Sequence, residues 1–417
     1  MKIALNKRKE HGLSSWVLFL DLVKAFDKVP REPLWKVLAK MGVPQKVIRL
    51  LTVLHTNVKF TFTMQGTERV IDNTVGVKQG DILGPILFTF YIAACLITWR
   101  KSTVTKPCEF QTQYDFQIKA VNSAKNGENL SVRDSCFADD TGIIFVSRSD
   151  LEIGTNEIVS HFKRWGLEIH TGEIQSAAST PKKSKSEILF APATAPSQND
   201  SLPVVCGQNS QIPVVPKFPY LGSAISNELN DSQAVTDRIT KSSSAMGTLK
   251  EAVFNNNNLY LTAKAAIYIS CVLPILMYGS ETWCLKAADL RKLETFHCAC
   301  VRKICKVSRA AQQRYHITTK SLMKRTNIQP IANLLTKNSL RWAGHLARMN
   351  WDRLPRQLMS SWIKKKRKRG SPGITYGRSL QKHLAKIGLN ENNWYQIAQD
   401  RNAWRKLINT SNNSSNP

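Results

Sequence analysis

Residues 135–147 read SCFADDTGIIFVS. Two like charges, Asp139 and Asp140, stand side by side before a run of isoleucine, phenylalanine and valine suited to a buried strand. Adjacent carboxylates repel unless water, a proton or a cation relieves them. One reading is a solvated β-turn with aspartates at its tip. The other is a site for divalent metal, which a third carboxylate elsewhere would favour. Asp21 is the candidate. Residues 16–22, WVLFLDL, form a short apolar run that reads as a buried strand with the aspartate near its end. Antiparallel pairing of that strand with those flanking the aspartate pair would gather three carboxylates at one sheet edge. Hard oxygen ligands of that number suit Mg2+ or Mn2+. Two such ions can activate a hydroxyl and stabilise a leaving oxygen in phosphoryl transfer. Asp27, close to Asp21, reads instead as a helix cap.

Charge points to the partner. The chain has 417 residues and a formal net charge of +29. Residues 1–200 carry 26 Lys and Arg against 20 Asp and Glu, whereas residues 201–417 carry 33 against 10. A field so one-sided implies a polyanion, nucleic acid before an anionic membrane surface. Nine scattered cysteines with no CxxC pair indicate reduced thiols in an intracellular protein. Cys298, Cys300 and Cys305, with His297 and His316, have the content of a zinc site but not its spacing. Residues 82–99 are uncharged and nearly long enough to cross a bilayer, yet Gly84 and Pro85 near their start favour a buried core helix.

Along the chain, Leu34, Val37, Leu38 and Met41 recur at helical spacing before Gly42 and Pro44 close the segment, and a second helix is expected from Gln45 to about His55. A β-hairpin follows, turning near Gln65-Gly66, and then a long apolar helix from Ile86. Residues 120–133 read as a polar loop, and a helix is expected from about Asp150 to Trp165. Residues 170–217 read as irregular with short strands at EILFAP and IPVVP. Residues 231–308 look helical with a break at Pro274. From about 310 the chain is basic and dotted with tryptophans, whose helical spacing (Trp342 with Leu346, Trp394 with Ala398) favours core packing over base stacking. The run KKKRKR, Lys364, Lys365, Lys366, Arg367, Lys368 and Arg369, reads as an exposed loop available to phosphate or as a nuclear-localisation patch.

FLDLVKAFDKV, GVKQGDILGPILF and CFADD occur in that order, followed by GLEIHTG, KKSKSEILF, FPYLGSAIS, YGSETW and RWAGHLARM. This series resembles the reverse transcriptases of non-LTR, LINE-type retrotransposons, and it covers almost the whole chain. The resemblance implies an α+β fold: a polymerase right-hand palm with incomplete fingers, a helical thumb, and a basic, mostly helical C-terminal region. Its implied boundaries are 1–225 for palm and partial fingers, 226–309 for the thumb-like region, and 310–417 for the nucleic-acid-binding region with a disordered tail. It implies Asp21, Asp139 and Asp140 as catalytic, metal-binding acids for two Mg2+ or Mn2+ ions. Phe26 would exclude a 2′-hydroxyl, Gln79 and Gly80 would flank the incoming nucleotide, and Lys185 would lie near the triphosphate. Tyr220, Leu221 and Gly222 match the hairpin that grips the primer end. Phe137 stands where many reverse transcriptases carry tyrosine, as in other non-LTR elements.

The implied partners are an RNA template, a DNA primer and deoxynucleoside triphosphates, without a membrane, and the implied location is intracellular and nuclear. The chain begins just before the first palm motif, so the upstream fingers are expected to be missing, and with them strong polymerisation. Two further readings stand beside the polymerase. One is a remnant that binds nucleic acid without catalysis. The other is an unrelated magnesium phosphohydrolase, disfavoured because Val23 occupies the place where an aspartyl-phosphate enzyme needs a second aspartate.

Overall fold

The computed structural model describes residues 1–64, 66–78, 80–112, 127–173, 183–193, 195–207, 209–365 and 374–410. They form two compact units. The first comprises Met1, Leu13–Cys108 and Ser131–Pro216; the second comprises Lys2–Gly12, Glu109–Leu130 and Lys217–Pro417.

In the first unit the WVLFL run forms strand β1 (Ser15–Leu20), all six residues buried. Trp16, Leu18 and Leu20 enter the main core, and the opposite face, Val17 and Phe19, is buried as well. A strand covered on both sides needs a continuous apolar run rather than alternation, which is what these residues supply. Helix α1 (Arg31–Lys40) places Leu34, Val37 and Leu38 in the core, and α2 (Gln45–His55) adds Ile48 and Leu51. Strands β2 (Val58–Met64) and β3 (Thr67–Asn73) pair as the expected hairpin, with Gln65 of its turn outside the described residues. Helix α3 (Leu83–Ser102) is long and apolar enough by composition to cross a membrane, but Leu87, Phe88, Tyr91, Ile92, Cys95, Leu96 and Trp99 pack into the core.

Strands β4 (Asp134–Phe137) and β5 (Asp140–Phe145) follow, then helix α4 (Arg148–Arg164), β6 (Glu187–Ala191) and β7 (Val214–Val215). The sheet runs β7-β6-β1-β5-β4, antiparallel except where β7 lies parallel to β6. Antiparallel sheet with its helices in separate runs makes the fold α+β.

Two expectations fail. Residues 128–132 form a strand, not a loop, because Leu130 and Val132 alternate inward between polar neighbours. The helical run Leu261–Leu276 does not break at Pro274. A π-helical turn, Tyr268–Val272, precedes the proline, and Pro274 falls at the start of a new helical segment, where a missing N–H costs little.

The second unit opens with the hairpin β8 (Lys217–Tyr220) and β9 (Ser223–Ser226). Helices α5 (Ser232–Thr248), α6 (Ala287–Ile304) and the start of α7 (Ile331–Arg348) enclose one core around Tyr268, Leu276 and Leu293. The rest of α7, with α8 (Tyr376–Ala385), α9 (Trp394–Gln399) and α10 (Arg401–Thr410), encloses another around Leu340, Trp394 and Trp404. The expected boundaries at 225/226 and 309/310 both lie inside this unit. Trp394 and Trp404 are core residues, and the Trp404 indole donates to the Leu340 carbonyl at 3.0 Å. A β-carbon at Gly344 would lie 2.1 Å from the Trp404 Nε1. Gly344→Ala is therefore expected to force the ring out of its seat and lower stability by about 1–3 kcal/mol, read from the urea midpoint.

Candidate active site

The three acids converge because of strand register. β1 pairs antiparallel with β5 in a ladder that runs to Leu20 opposite Thr141. Asp21 follows Leu20 and Asp140 precedes Thr141, so the two occupy the next position across the same ladder. β4 and β5 close as a hairpin with Phe137 opposite Asp140, leaving Ala138 and Asp139 as its two-residue turn. Ala138 has φ 54° and Asp139 is not left-handed. That combination matches a type II′ turn, whose twist suits a hairpin. A left-handed alanine costs about 1–2 kcal/mol. The turn is braced on both sides: the Cys136 thiol donates to the Ala138 carbonyl at 3.2 Å, and the Thr141 hydroxyl donates to the Cys136 sulfur at 3.2 Å. Asp134 ties β4 to helix α3 through Arg100, whose Nε donates at 2.7 Å.

Asp21 is fixed by its backbone. Its N–H donates to the Ser186 hydroxyl at 3.0 Å, and its carbonyl accepts from the His170 N–H at 2.8 Å. Ser186 is fully buried. Neither Ser186 nor His170 stood out in the sequence, and no pattern in it marks a serine whose role is to hold another residue's backbone. Lys185, next to Ser186, is exposed, and its N–H donates to His170 Nδ1 at 3.3 Å. The expected triphosphate lysine thus lies at the same sheet end as Asp21.

Among the described residues, no hydrogen bond or ion pair reaches the carboxylates of Asp21, Asp139 or Asp140. Partial burial raises the pKa of Asp140, and repulsion from Asp139 and then Asp21 raises it further. Both like charges are therefore felt at Asp140 with no protein cation to offset them. Among the described residues no group of three or more His, Cys, Asp or Glu is drawn in tightly enough to hold an ion by itself. The donor chemistry nonetheless fits Mg2+ or Mn2+, which need only one or two carboxylates when water and substrate phosphates complete the shell.

Phe26 is half-buried and stacks on Phe88 of α3, ring centroids 4.7 Å apart. Val77 donates to the Phe26 carbonyl at 2.9 Å, tying the GVKQG segment to the AFDKV loop. Gly76 permits this, since a β-carbon there would lie 2.5 Å from the Asp27 carbonyl oxygen. Asp27 caps no helix; α1 starts after Pro30 without a side-chain cap. Gly80 has φ +90°, a conformation that favours glycine. Gln79 lies outside the described residues. Arg31 was missed by sequence reasoning. Its guanidinium donates to the carbonyls of Gly76 (2.9 Å), His55 (2.7 Å) and Asn73 (2.8 Å), holding the end of the β2–β3 hairpin against α1.

Of the nucleic-acid candidates, Tyr220 is buried and Gly222 is exposed at the tip of the β8–β9 hairpin. Lys364 and Lys365 are exposed, while Lys366, Arg367, Lys368 and Arg369 lie outside the described residues. The zinc reading fails at His297. Its Nδ1 bonds the Tyr268 hydroxyl at 2.8 Å, its Nε2 bonds the Gln329 carbonyl at 3.0 Å, and burial pulls its pKa down to about 4. None of the nine cysteines forms a disulfide.

Since Asp140 has its pKa raised on folding, its charged form is the disfavoured one. Its cost to stability is present above the folded pKa and disappears as pH falls below the ordinary carboxylate range. Asp140→Asn is expected to raise the thermal midpoint at pH 7 in chelator, with the gain vanishing below about pH 4. Millimolar Mg2+ or Mn2+ is expected to raise the wild-type midpoint and to leave an Asp21→Asn/Asp139→Asn variant unmoved.

A profile of the family described as reverse transcriptase (RNA-dependent DNA polymerase) matches residues 2–223, over half of the chain. A transposon-derived protein of Caenorhabditis elegans, itself uncharacterised, is 25% identical over 297 residues, which cover 69% of this chain and 99% of that protein. A protein of Drosophila melanogaster described as a probable RNA-directed DNA polymerase from transposon BS is 21% identical over 79% of this chain and 33% of its own length. The RNA-directed DNA polymerase from mobile element jockey, also of Drosophila melanogaster, is 23% identical over 72% of this chain and 29% of its own length. The chain thus spans about a third of the two fly proteins. With its acids gathered by one sheet register and its matched segment covering more than half of its length, the chain belongs to the reverse transcriptase family, and its relatives are proteins of transposable elements.

Proposed function

We propose that this chain is the polymerase portion of a non-LTR retrotransposon protein, extending a DNA 3′-hydroxyl on an RNA template. The convergence of Asp21, Asp139 and Asp140, with no ion pair to them among the described residues, carries the reading. Residues 1–225 would then serve as palm with partial fingers, 226–309 as thumb, and 310–417 as a basic nucleic-acid-binding region. Asp21 and Asp139 would hold two divalent ions, with Asp140 as third acid. When bound, those ions would supply charge neutralisation for the attacking hydroxyl, the triphosphate and the leaving pyrophosphate. The chain's own groups position the reactants. The braced II′ turn presents Asp139 at the surface, and Ser186 and His170 keep Asp21 in register with it. Phe26, backed by Phe88, offers a ring that a 2′-hydroxyl would strike. Gln79 and Gly80 would face the incoming nucleotide, and Lys185 its phosphates. Tyr220 and Gly222 would take the primer, and Lys364 to Arg369 nucleic-acid phosphates, in keeping with a nuclear location.

A second reading, nucleic-acid binding without polymerisation, is supported by charge alone. Between Glu294 and Glu391 the sequence has 22 Lys and Arg and a single acid, Asp352. Such a stretch binds phosphate whether or not the acids act.

Primer extension separates the two. Purified chain, RNA template, DNA primer, deoxynucleotides and Mg2+ are expected to give at most weak primer elongation, and Asp139→Ala to reduce it to background. Salt-sensitive RNA binding with no incorporation by the wild type would establish the second reading instead. In the same assay Phe26→Val is expected to raise ribonucleotide use relative to deoxynucleotide by about tenfold or more, the scale of one steric exclusion in a pocket.

A further inference from the structure

The YGSETW motif, residues 278–283, lies outside the segment that matches the family profile. The structure shows what it holds. The β8–β9 hairpin closes with Tyr220 opposite Ser223, so Leu221 and Gly222 form a two-residue turn. Both are left-handed, Leu221 at φ 48° and Gly222 at φ 75°. This matches a type I′ turn, which favours Asn and Gly. Leucine at the first position is strained, and its side chain is also 39% exposed, so neither backbone preference nor burial accounts for it.

Two side chains hold the turn. The Tyr278 hydroxyl donates to the Leu221 carbonyl at 3.0 Å. The Arg238 guanidinium donates to the Gly222 carbonyl. Arg238 also lies over the Tyr278 ring, 4.2 Å from its centroid, so the two donors brace each other. Arg238 is buried, while Tyr278 is 50% exposed. The fit is close. A β-carbon at Gly222 would come within 3.2 Å of the Tyr278 hydroxyl, and one at Gly279 within 2.8 Å of the Ser223 hydroxyl. Ser280 anchors the motif to α7, accepting from the Asn338 amide at 2.9 Å.

We infer that Arg238 and Tyr278 are positioning residues that lock the Leu221-Gly222 tip into the shape that receives the recessed 3′ end of a DNA strand on its template. The inference rests on the proposed reading of this hairpin as a primer contact, and it adds residues that reading does not contain. Hydrogen bonds to both turn carbonyls hold a conformation that leucine would otherwise leave, and an exposed apolar side chain on a rigid tip can pack against a sugar or base.

The test is fluorescence anisotropy with two labelled ligands: a DNA primer with a recessed 3′ end on RNA, and a blunt RNA–DNA duplex of equal length. Wild type is expected to prefer the recessed end. Tyr278→Phe, which removes one oxygen, and Arg238→Lys, which removes the stacked fork, are each expected to weaken recessed-end binding five- to tenfold and to leave blunt-duplex binding unchanged. The thermal midpoint of Tyr278→Phe should match wild type, separating positioning from folding. Equal loss on both ligands, no loss in Tyr278→Phe, or a wild type without end preference would overturn the inference. Recessed-end preference that depends on Tyr278, in a chain that incorporates no nucleotide, would sink the polymerase reading and leave this one standing.

Discussion

Everything in the first unit depends on a repulsion that the fold maintains. Three carboxylates share one sheet end, and no hydrogen bond or ion pair in the described structure offsets them. Left to themselves, such groups would move apart or take up a proton. Here they cannot move far. Asp21 continues a strand paired on both sides, with β5 and with β6. Asp139 sits in a two-residue turn, and Asp140 opens a strand buried over its remaining length. The free energy that holds them comes from the apolar pairs behind them, Leu18 with Ile143 and Ile188, rather than from the site itself. Under the proposed function, a divalent cation would relieve this repulsion.

The two hairpin turns illustrate the same logic on a smaller scale. Ala138 and Leu221 are both non-glycine residues in the left-handed region; Ala138 is braced locally by Cys136, and Leu221 by Tyr278, a neighbour only in the folded chain. Asn57, Lys306 and other residues also adopt positive φ, so strain alone marks nothing. What distinguishes these two is that each is followed directly by a residue of functional interest, and each is tied by a side chain with no other evident role. Local strain persists only where the surroundings over-determine it.

Much of this was legible from residues alone, for a physical reason. Binary pattern reports burial, so WVLFL announced a central strand, residues 82–99 a core helix, and Trp394 with Ala398 a packed face. Like charges in an apolar setting singled out the acids that the sheet register brings to one end. What stayed hidden was backbone hydrogen bonding by single polar side chains. Ser186 and Arg31 have no sequence period, and each acts on atoms every residue possesses. Asp27 was misread because a helix cap and a surface turn use the same residue, and only the start of α1 after Pro30 separates them. The strand at 128–132 was missed because two buried residues among polar ones give too short an alternation to register. Pro274 was misplaced as a break because a π-helical turn can absorb the clash that a proline brings to a regular helix.

The charge of the second unit remains to be reconciled with its folding. Twenty-two cations between Glu294 and Glu391 repel one another, and a single acid among them offsets little. The unit meets this by dividing its work along helix α7. Ile331 and Leu335 face one core, Leu340, Ala343 and Ala347 face another, and Arg341 projects outward. Two apolar clusters hold the helices while cations such as Arg341, Lys364 and Lys365 stay exposed to water, where screening weakens their repulsion; Arg356 is buried and donates to the Met349 carbonyl. A buried ion-pair network would have consumed the same charges internally. Ion pairs seen in this unit join Lys2 to Asp231, Lys250 to Glu251 and Lys292 to Asp289, all outside the acid-poor stretch. With 22 cations against one acid the stretch keeps a large positive charge whatever local contacts its side chains make, and a polyanion bound there would relieve the repulsion.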